Sequence, residues 1–342
     1  MTGGFTRLDS DIHPGKCAYY PQAYSDGRFR VRGLISGQGQ GYVLRVDDMW
    51  GGNAAVLKGM WWNQQTLAEP ARAETELNEN VAELYQGLRA ATQSTQLSQQ
   101  APAIVEVLLE PSPSLLAVGV ANPPDELFIV QQFIGHGEIA APTLADHLRQ
   151  RAAEKRPFTE AELLDLADQL CNALAALHAT RRQDRANRTT YWIHADVKPQ
   201  NILVLGPPWR YVLIDYEGAV EKGSIVRLTT EGYAPPESPR PLEREQADQR
   251  FDLYMLGATL AEAAGLRRLS PGTRSDLYGT DKNAHLEAKK QLSELGYGPI
   301  LTSIVATCLS SPDFRLAEVG AVQHELSRVR QNSALRRALM GT

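Results

Sequence analysis

Cysteine is scarce in this sequence: Cys17, Cys171 and Cys308 are the only three in 342 residues, and no Cys-x-x-Cys pair occurs. An odd count at such wide spacing excludes a disulfide framework and a zinc knuckle, and it points to a reducing, cytoplasmic setting. No window approaches about 18 uncharged apolar residues, so no membrane span is expected. The first 16 residues contain no apolar h-region, which argues against a signal peptide. Positive charge is not in excess either. Against 35 Lys and Arg stand 40 Asp and Glu, a net charge of −5, so a general nucleic-acid partner is not expected. What remains is ordinary globular material, 43% hydrophobic and 22% charged. The length suits one large two-lobed domain or two small ones.

The pattern along the chain changes once. Residues 1–27 are polar with scattered Gly, Pro and Tyr, and read as an extension with little regular structure. Hairpin-linked strands are expected at 29–36, 42–46 and 54–60. Leu77, Val81, Leu84 and Leu88 share one face of a helix expected over 66–92, with Trp61 and Trp62 beneath it. A polar loop over 93–102 leads to strands at 103–110, 114–120 and 126–134, then a hinge-like linker at 135–142. Helices are expected at 143–155 and 159–180, the second opening with a Thr159/Glu162 capping box. His178, at the end of that stripe, reads as packing. Residues 181–190 form a basic, polar excursion, and helices resume near Phe251.

The chemistry concentrates in YWIHADVKPQNILVL (191–205) and YVLIDYEGAV (211–220). Two short strands deliver Asp196, Lys198, Asn201 and Asp215 to one rim. Two carboxylates, an amide and an ammonium suit a magnesium-phosphate site, in which hard oxygen donors hold the cation and Lys neutralises the transferred group. Upstream, Gly37, Gly39 and Gly41 followed by Val43 lie between two strands. Glycines there let backbone N–H groups approach phosphates, although taken alone a glycine-rich hairpin turn is the more common explanation. Lys58 ends an alternating strand and calls for an anionic partner. Stepping the apolar seam back by three from Leu77 selects Glu74, with Glu76 as its rival.

His194, Asp196, Lys198, Pro199 and Asn201 form H-x-D-x-K-P-x-N, which resembles the catalytic loop of eukaryotic-like Ser/Thr protein kinases, here a divergent bacterial-type member. Asp215-Tyr216-Glu217 is similar to that family's D-F-G, with Glu replacing Gly. Thr230, Tyr233, Pro235, Pro236 and Glu237 resemble T-x-x-Y-x-A-P-E, while Asp252 and Arg315 match later structural positions. The resemblance implies an α+β, two-lobed fold: a small antiparallel β lobe with one helix (29–134), a larger mainly helical lobe (135–330) and a tail (331–342).

It further implies transfer of the ATP γ-phosphoryl group to a Ser or Thr hydroxyl of a protein substrate. Asp196 and Lys198 would be catalytic, and Asn201 and Asp215 would hold magnesium or manganese. Gly37, Gly39, Gly41, Val43, Lys58, Glu74, Gln132 and Ile134 would bind the nucleotide, the last two through backbone, although Gln131 and Gln132 also read as edge-strand polar residues. Asp252 would hold the loop backbone, and Arg315 would pair with Glu237. Ala195 stands where many such kinases carry Arg, which implies activity independent of activation-loop phosphorylation. Two other functions compete: a nucleotide-binding pseudokinase, suggested by the altered glycine loop and Glu217, and a small-molecule kinase, disfavoured by Thr230, Tyr233, Glu237 and Arg315.

Overall fold

The computed structural model describes residues 4–37, 41–69, 72–179, 182–183, 189–226, 229–230, 232–235, 247–266 and 284–340. The chain divides into two compact units, Met1–Thr92 with Pro102–Ala140, and Gln93–Ala101 with Ala141–Thr342. The first therefore begins before Phe29 and runs past residue 134, and residues 93–101 belong to the second.

The first unit contains β1 (Thr6–Asp9), β2 (Lys16–Tyr20), β3 (Ala23–Tyr24), β4 (Phe29–Ser36), β5 (Gly41–Asp48), β6 (Asn53–Met60) and β7 (Trp62–Asn63). Helices α1 (Gln64–Ala68) and α2 (Ala73–Leu97, whose residues from Gln93 on belong to the second unit) follow, then β8 (Ile104–Pro111), α3 (Pro113–Ala117) and β9 (Asp125–Gln132). Six strands form an antiparallel sheet in the order β3-β4-β5-β6-β9-β8. Strict alternation drives this pairing: Tyr42, Leu44 and Val46 of β5 are buried with Ala55 and Leu57 of β6 on one face. The other face carries Met60, Leu127 and Ile129, which pack against Leu84 of α2.

Residues 4–24 are not an irregular extension. β1 and β2 pair antiparallel, and β2 pairs with β7 through Cys17 and Trp62. Ala18 and Tyr24 enter the sheet's core, and Cys17 joins Trp62, Ala73 and Leu77 in a second cluster. The two tryptophans separate accordingly, Trp62 against α2 and Trp61 on the opposite sheet face against Tyr42.

Two further expectations change. Residues 114–120 start as helix α3, because Ser112 accepts the Leu115 N–H and Pro113 occupies the first helical turn. The expected linker at 135–142 begins as a hairpin of β10 (Gly135–His136) and β11 (Ile139–Ala140). Helix α2 also continues into the expected loop, as far as Leu97. The Gln93 side-chain amide lies within 3.2 Å of the carbonyl oxygens of Ala176, Leu177 and Ala179, and those contacts anchor its last turn.

The second unit is mainly helical. It contains α4 (Leu144–Ala153), α5 (Glu160–His178), α6 (Gln249–Ala263), α7 (Ala284–Glu294), α8 (Pro299–Cys308) and α9 (Val319–Met340). The last includes residues 331–340 of the expected tail. Capping boxes open α4 at Thr143/Asp146 and α5 at Thr159/Glu162. Short ladders join β12 (Arg182–Gln183) to β13 (Thr189–Thr190), β14 (Trp192–Ile193) to β17 (Val220–Glu221), and β15 (Ile202–Leu205) to β16 (Arg210–Leu213). All three cysteines are buried and unpaired. Among the described residues no helix is long and apolar enough to cross a membrane.

Every residue of α6 from Phe251 to Ala261 is buried, which makes this helix the post around which the unit is built. Its Gly257 passes α8 closely: a Cβ there would stand 2.6 Å from the Cβ of Cys308. Gly257→Ala is expected to cost roughly 1–3 kcal/mol of stability despite better helix propensity. A lowered denaturant midpoint checks this, and an unchanged or raised midpoint contradicts it.

Candidate functional site

The second unit gathers its polar residues at one end of a hairpin. Ile202 pairs with Leu213 at the open end of the β15–β16 ladder, and the Ile214 N–H donates to the Asn201 carbonyl at 2.9 Å. That register puts Asp215 beside the short turn Pro199–Asn201, against which α4 also packs. Asp215 adopts a left-handed backbone, φ 70°, which Asp tolerates better than most residues.

Asp196 is held by four donor atoms. Its Oδ1 accepts the Thr230 hydroxyl at 2.7 Å and the Thr230 N–H at 3.0 Å. Its Oδ2 accepts Lys198 Nζ at 2.7 Å and Asn201 Nδ2 at 2.9 Å. Asn201, 5% exposed, also donates Nδ2 to the Asp196 carbonyl oxygen. Its amide nitrogen is thereby committed to Asp196, and the amide oxygen is left as a hard donor. Asp196, Lys198 and Asn201 are thus brought together, with Thr230 as a fourth member.

A second layer fixes the loop. His194 is fully buried; its Nδ1 lies 3.3 Å from the Asp196 N–H and its Nε2 lies 3.2 Å from the Ile214 carbonyl. Those partners require the neutral ring with the proton on Nε2, and burial lowers the ring's pKa in agreement. Asp252 of α6 accepts the backbone N–H groups of His194 and Ala195, both at 2.8 Å. Between them Ala195 is left-handed, φ 62°, a conformation that costs an alanine roughly 1–2 kcal/mol. The Tyr216 ring lies tilted beside His194, centroids 4.9 Å apart, and shares a hydrogen bond with Ser94, 3.0 Å away, while burial raises its phenol pKa.

His178 is not mere packing: its Nε2 sits 2.8 Å from Asp252 Oδ2. Neither this contact nor the Ser94–Tyr216 bond has a sequence signal, because each joins residues more than 70 positions apart.

In the first unit, Val43, Lys58 and Ile129 are cross-strand neighbours on the sheet face that α2 covers. Lys58 is half-buried. Gly37 and Gly41 are both in tight quarters. A Cβ on Gly41 would meet the Gly59 carbonyl oxygen at 2.1 Å, and one on Gly37 would meet the Trp61 ring at 3.0 Å. Strand packing alone therefore demands Gly41. Gly39 lies outside the described residues.

Glu74 does not occupy a buried position. It is exposed in the first turn of α2, because the seam steps back by four from Leu77 to buried Ala73. Glu76 accepts the Asn63 N–H at 2.7 Å. Gln131 is buried on β9, an interior strand between β6 and β8, so the edge-strand reading fails for it. The Gln132 N–H donates to the Ala103 carbonyl, and Ile134 is buried. Arg315 is buried and donates to the carbonyl oxygens of Ser310 and Arg250; Pro236 and Glu237 lie outside the described residues.

Residues 112–299, more than half of the chain, match the family model of the protein kinase domain. The chain is 32% identical over 95 residues to the serine/threonine-protein kinase YabT of Bacillus subtilis (strain 168), covering 28% of this chain and 23% of that protein. It is 28% identical over 198 residues to the human serine/threonine-protein kinase Nek10, covering 55% of this chain and 15% of that protein. With cyclin-dependent kinase F-4 of Oryza sativa subsp. japonica it shares 32% identity over 122 residues, 34% of this chain and 24% of that protein. The chain thus spans less than a quarter of the length of each of these relatives. The family match encloses Asp196, Lys198, Asn201 and Asp215 within one stretch. The chain belongs to the protein kinase family.

Proposed function

We propose that this chain transfers the γ-phosphoryl group of ATP to Ser or Thr hydroxyls of a protein. The observation that carries the reading is the Asp196 carboxylate, gripped by Lys198, Asn201 and Thr230 at the hairpin end that bears Asp215. Asp196 orients the substrate hydroxyl and takes its proton as the new O–P bond forms and the bond to ADP breaks. Lys198, 2.7 Å from Asp196, offsets negative charge on the transferring group. Gly37, Gly39, Gly41, Val43, Lys58, Gln132 and Ile134 are assigned to the nucleotide; Lys58 is the charged member of that set.

The donors suit a magnesium ion bound together with nucleotide. Asp215 offers a carboxylate and Asn201 an amide oxygen, both hard ligands. Among the described residues no three His, Cys, Asp or Glu side chains gather into a closed cage. Two protein oxygens completed by phosphate and water oxygens are what magnesium accepts in such sites. When bound, the metal would neutralise phosphate charge; manganese would suit the same donors.

Labelled-ATP turnover tests the proposal, with magnesium present and then chelated. Transfer to added protein that stops on chelation supports it; nucleotide binding without transfer favours a pseudokinase. Because Ala195 supplies no guanidinium, phosphatase-treated protein is expected to retain its activity within about twofold. Activity that returned only after phosphorylation at Ser224 or Thr229 would contradict that expectation.

A further inference from the structure

Arg45 is a charged residue on a largely apolar sheet face. Strand β5 alternates, and Arg45 falls on the side of Val43, with Val56 of β6 and then Gln131 of β9 as its cross-strand neighbours. That row lies directly beside the row of Val43, Lys58 and Ile129. A guanidinium half-buried there costs free energy unless its charge finds partners. Its Nε is buried with no hydrogen-bond partner, so the group is not turned out to water. It reaches instead from β5 to the segment that follows β9. The guanidinium lies over the Phe133 ring, 4.6 Å from the centroid, and its Nη1 donates to the Glu138 carbonyl oxygen.

Phe133 stands between Gln132 and Ile134. Its Cε1 and Cζ press on Gly135, where a Cβ would stand 2.6 and 2.8 Å from them. Glu138 belongs to the tip of the β10–β11 hairpin, whose register pairs Gly135 with Ala140 and His136 with Ile139. One guanidinium thus grips the chain on both sides of Ile134, at the ring before it and at the hairpin tip after it.

We infer that Arg45 is a positioning residue for the nucleotide: by capping the Phe133 ring and holding the Glu138 carbonyl it fixes the backbone of residues 132–134 against the sheet. The inference deepens the reading proposed above and rests on it in assigning that backbone to ATP. The clamp needs a flat cation for the ring and an N–H for the carbonyl, which arginine combines and lysine does not. Its loss leaves the backbone to be ordered anew each time nucleotide binds, and that ordering is taken out of the affinity. Asp196 and Asp215 belong to the other unit and keep their places, so binding weakens while the transfer step is spared.

The test compares Arg45→Met, which keeps the stem and removes both contacts, with Arg45→Lys, with Phe133→Leu and with the Arg45→Met/Phe133→Leu double variant. Three quantities are read: kcat and KM for ATP, calorimetric affinity for ADP, and hydrogen exchange of the peptides spanning residues 131–141 and 192–197. Arg45→Met is expected to raise KM for ATP about fivefold, to weaken ADP to the same degree and to leave kcat within about twofold. Arg45→Lys should fall between it and wild type. Exchange should quicken over residues 131–141 and stay as it is over 192–197. Ring and guanidinium act through one contact, so the double variant should lose no more than about twofold beyond either single one. Unchanged KM and ADP affinity in Arg45→Met overturns the inference. So does a loss of kcat with exchange quickened in both peptides, which marks general destabilisation, and so do fully additive losses in the double variant. Wild-type protein that binds ADP without transferring phosphate sinks the kinase reading alone, and ADP affinity still decides on Arg45. Wild-type protein that binds no nucleotide sinks the assignment of residues 132–134, and with it the inference.

Discussion

Asp196→Ala is expected to lower the phosphoryl-transfer rate by at least about 10²–10⁴-fold while ATP binding persists. The side chain takes no part in holding nucleotide in the proposed mechanism; it receives the hydroxyl proton and orients the attacking oxygen. Its deletion also leaves the Lys198 ammonium and the Thr230 hydroxyl without their shared acceptor. Asp196→Asn separates these effects. An amide keeps the volume and one oxygen for Lys198 but is no base, so it should retain the loop and still lose the rate. Asp215→Ala should behave differently, losing the magnesium-dependent component of nucleotide affinity together with turnover. Initial rates beside calorimetric ATP binding, with and without magnesium, distinguish the three variants. A fully active Asp196→Ala protein contradicts the assigned role.

Glu126→Gln is expected to stabilise the protein at pH 8 by roughly 3–4 kcal/mol and to leave stability at pH 4 nearly unchanged. Glu126 is 3% exposed in the first unit, and its partners are neutral: the Ser112 hydroxyl at 2.7 Å and the Trp62 indole N–H at 3.3 Å. Burial pushes its carboxyl up to about 7, against the lowering effect of the Ser112 and Trp62 hydrogen bonds. A raised folded pKa fixes the sign. Below the unfolded value, about 4.3, both states carry the proton and the group costs least. As pH rises from there to about 7, the unfolded chain releases its proton first and stability falls; above that it levels off. Denaturant midpoints across pH 4–8 read this directly. A Gln variant less stable than wild type at pH 8 would show that the buried carboxylate is a net favourable partner of Trp62.

What the sequence revealed follows from distance along the chain. His194, Asp196, Lys198 and Asn201 fall within eight consecutive positions, and a simple hairpin register brings Asp215 alongside, so local spacing carried that geometry. The strands of residues 6–24 were hidden because Cys17, Ala18 and Tyr24 are few and find their burial against β7 and the sheet, far along the chain. Glu74 and Ala73 lie three and four residues before Leu77 on neighbouring helix faces, so spacing alone does not separate them, and Ala73 is the one that is buried. Residues 114–120 carry an apolar run typical of a strand, but the Ser112-Pro113 cap decides in favour of helix. The ties of His178 to Asp252 and of Ser94 to Tyr216 are tertiary, and no periodicity foretells them.

Phosphopeptide mass spectrometry after incubation with magnesium and ATP reaches the central claim most directly. Wild-type protein mixed with a protein substrate pool should yield new phosphoserine and phosphothreonine that are absent from the Asp196→Ala reaction. No phosphopeptides from wild type, or equal amounts from both proteins, would contradict the assignment of phosphoryl transfer to this site.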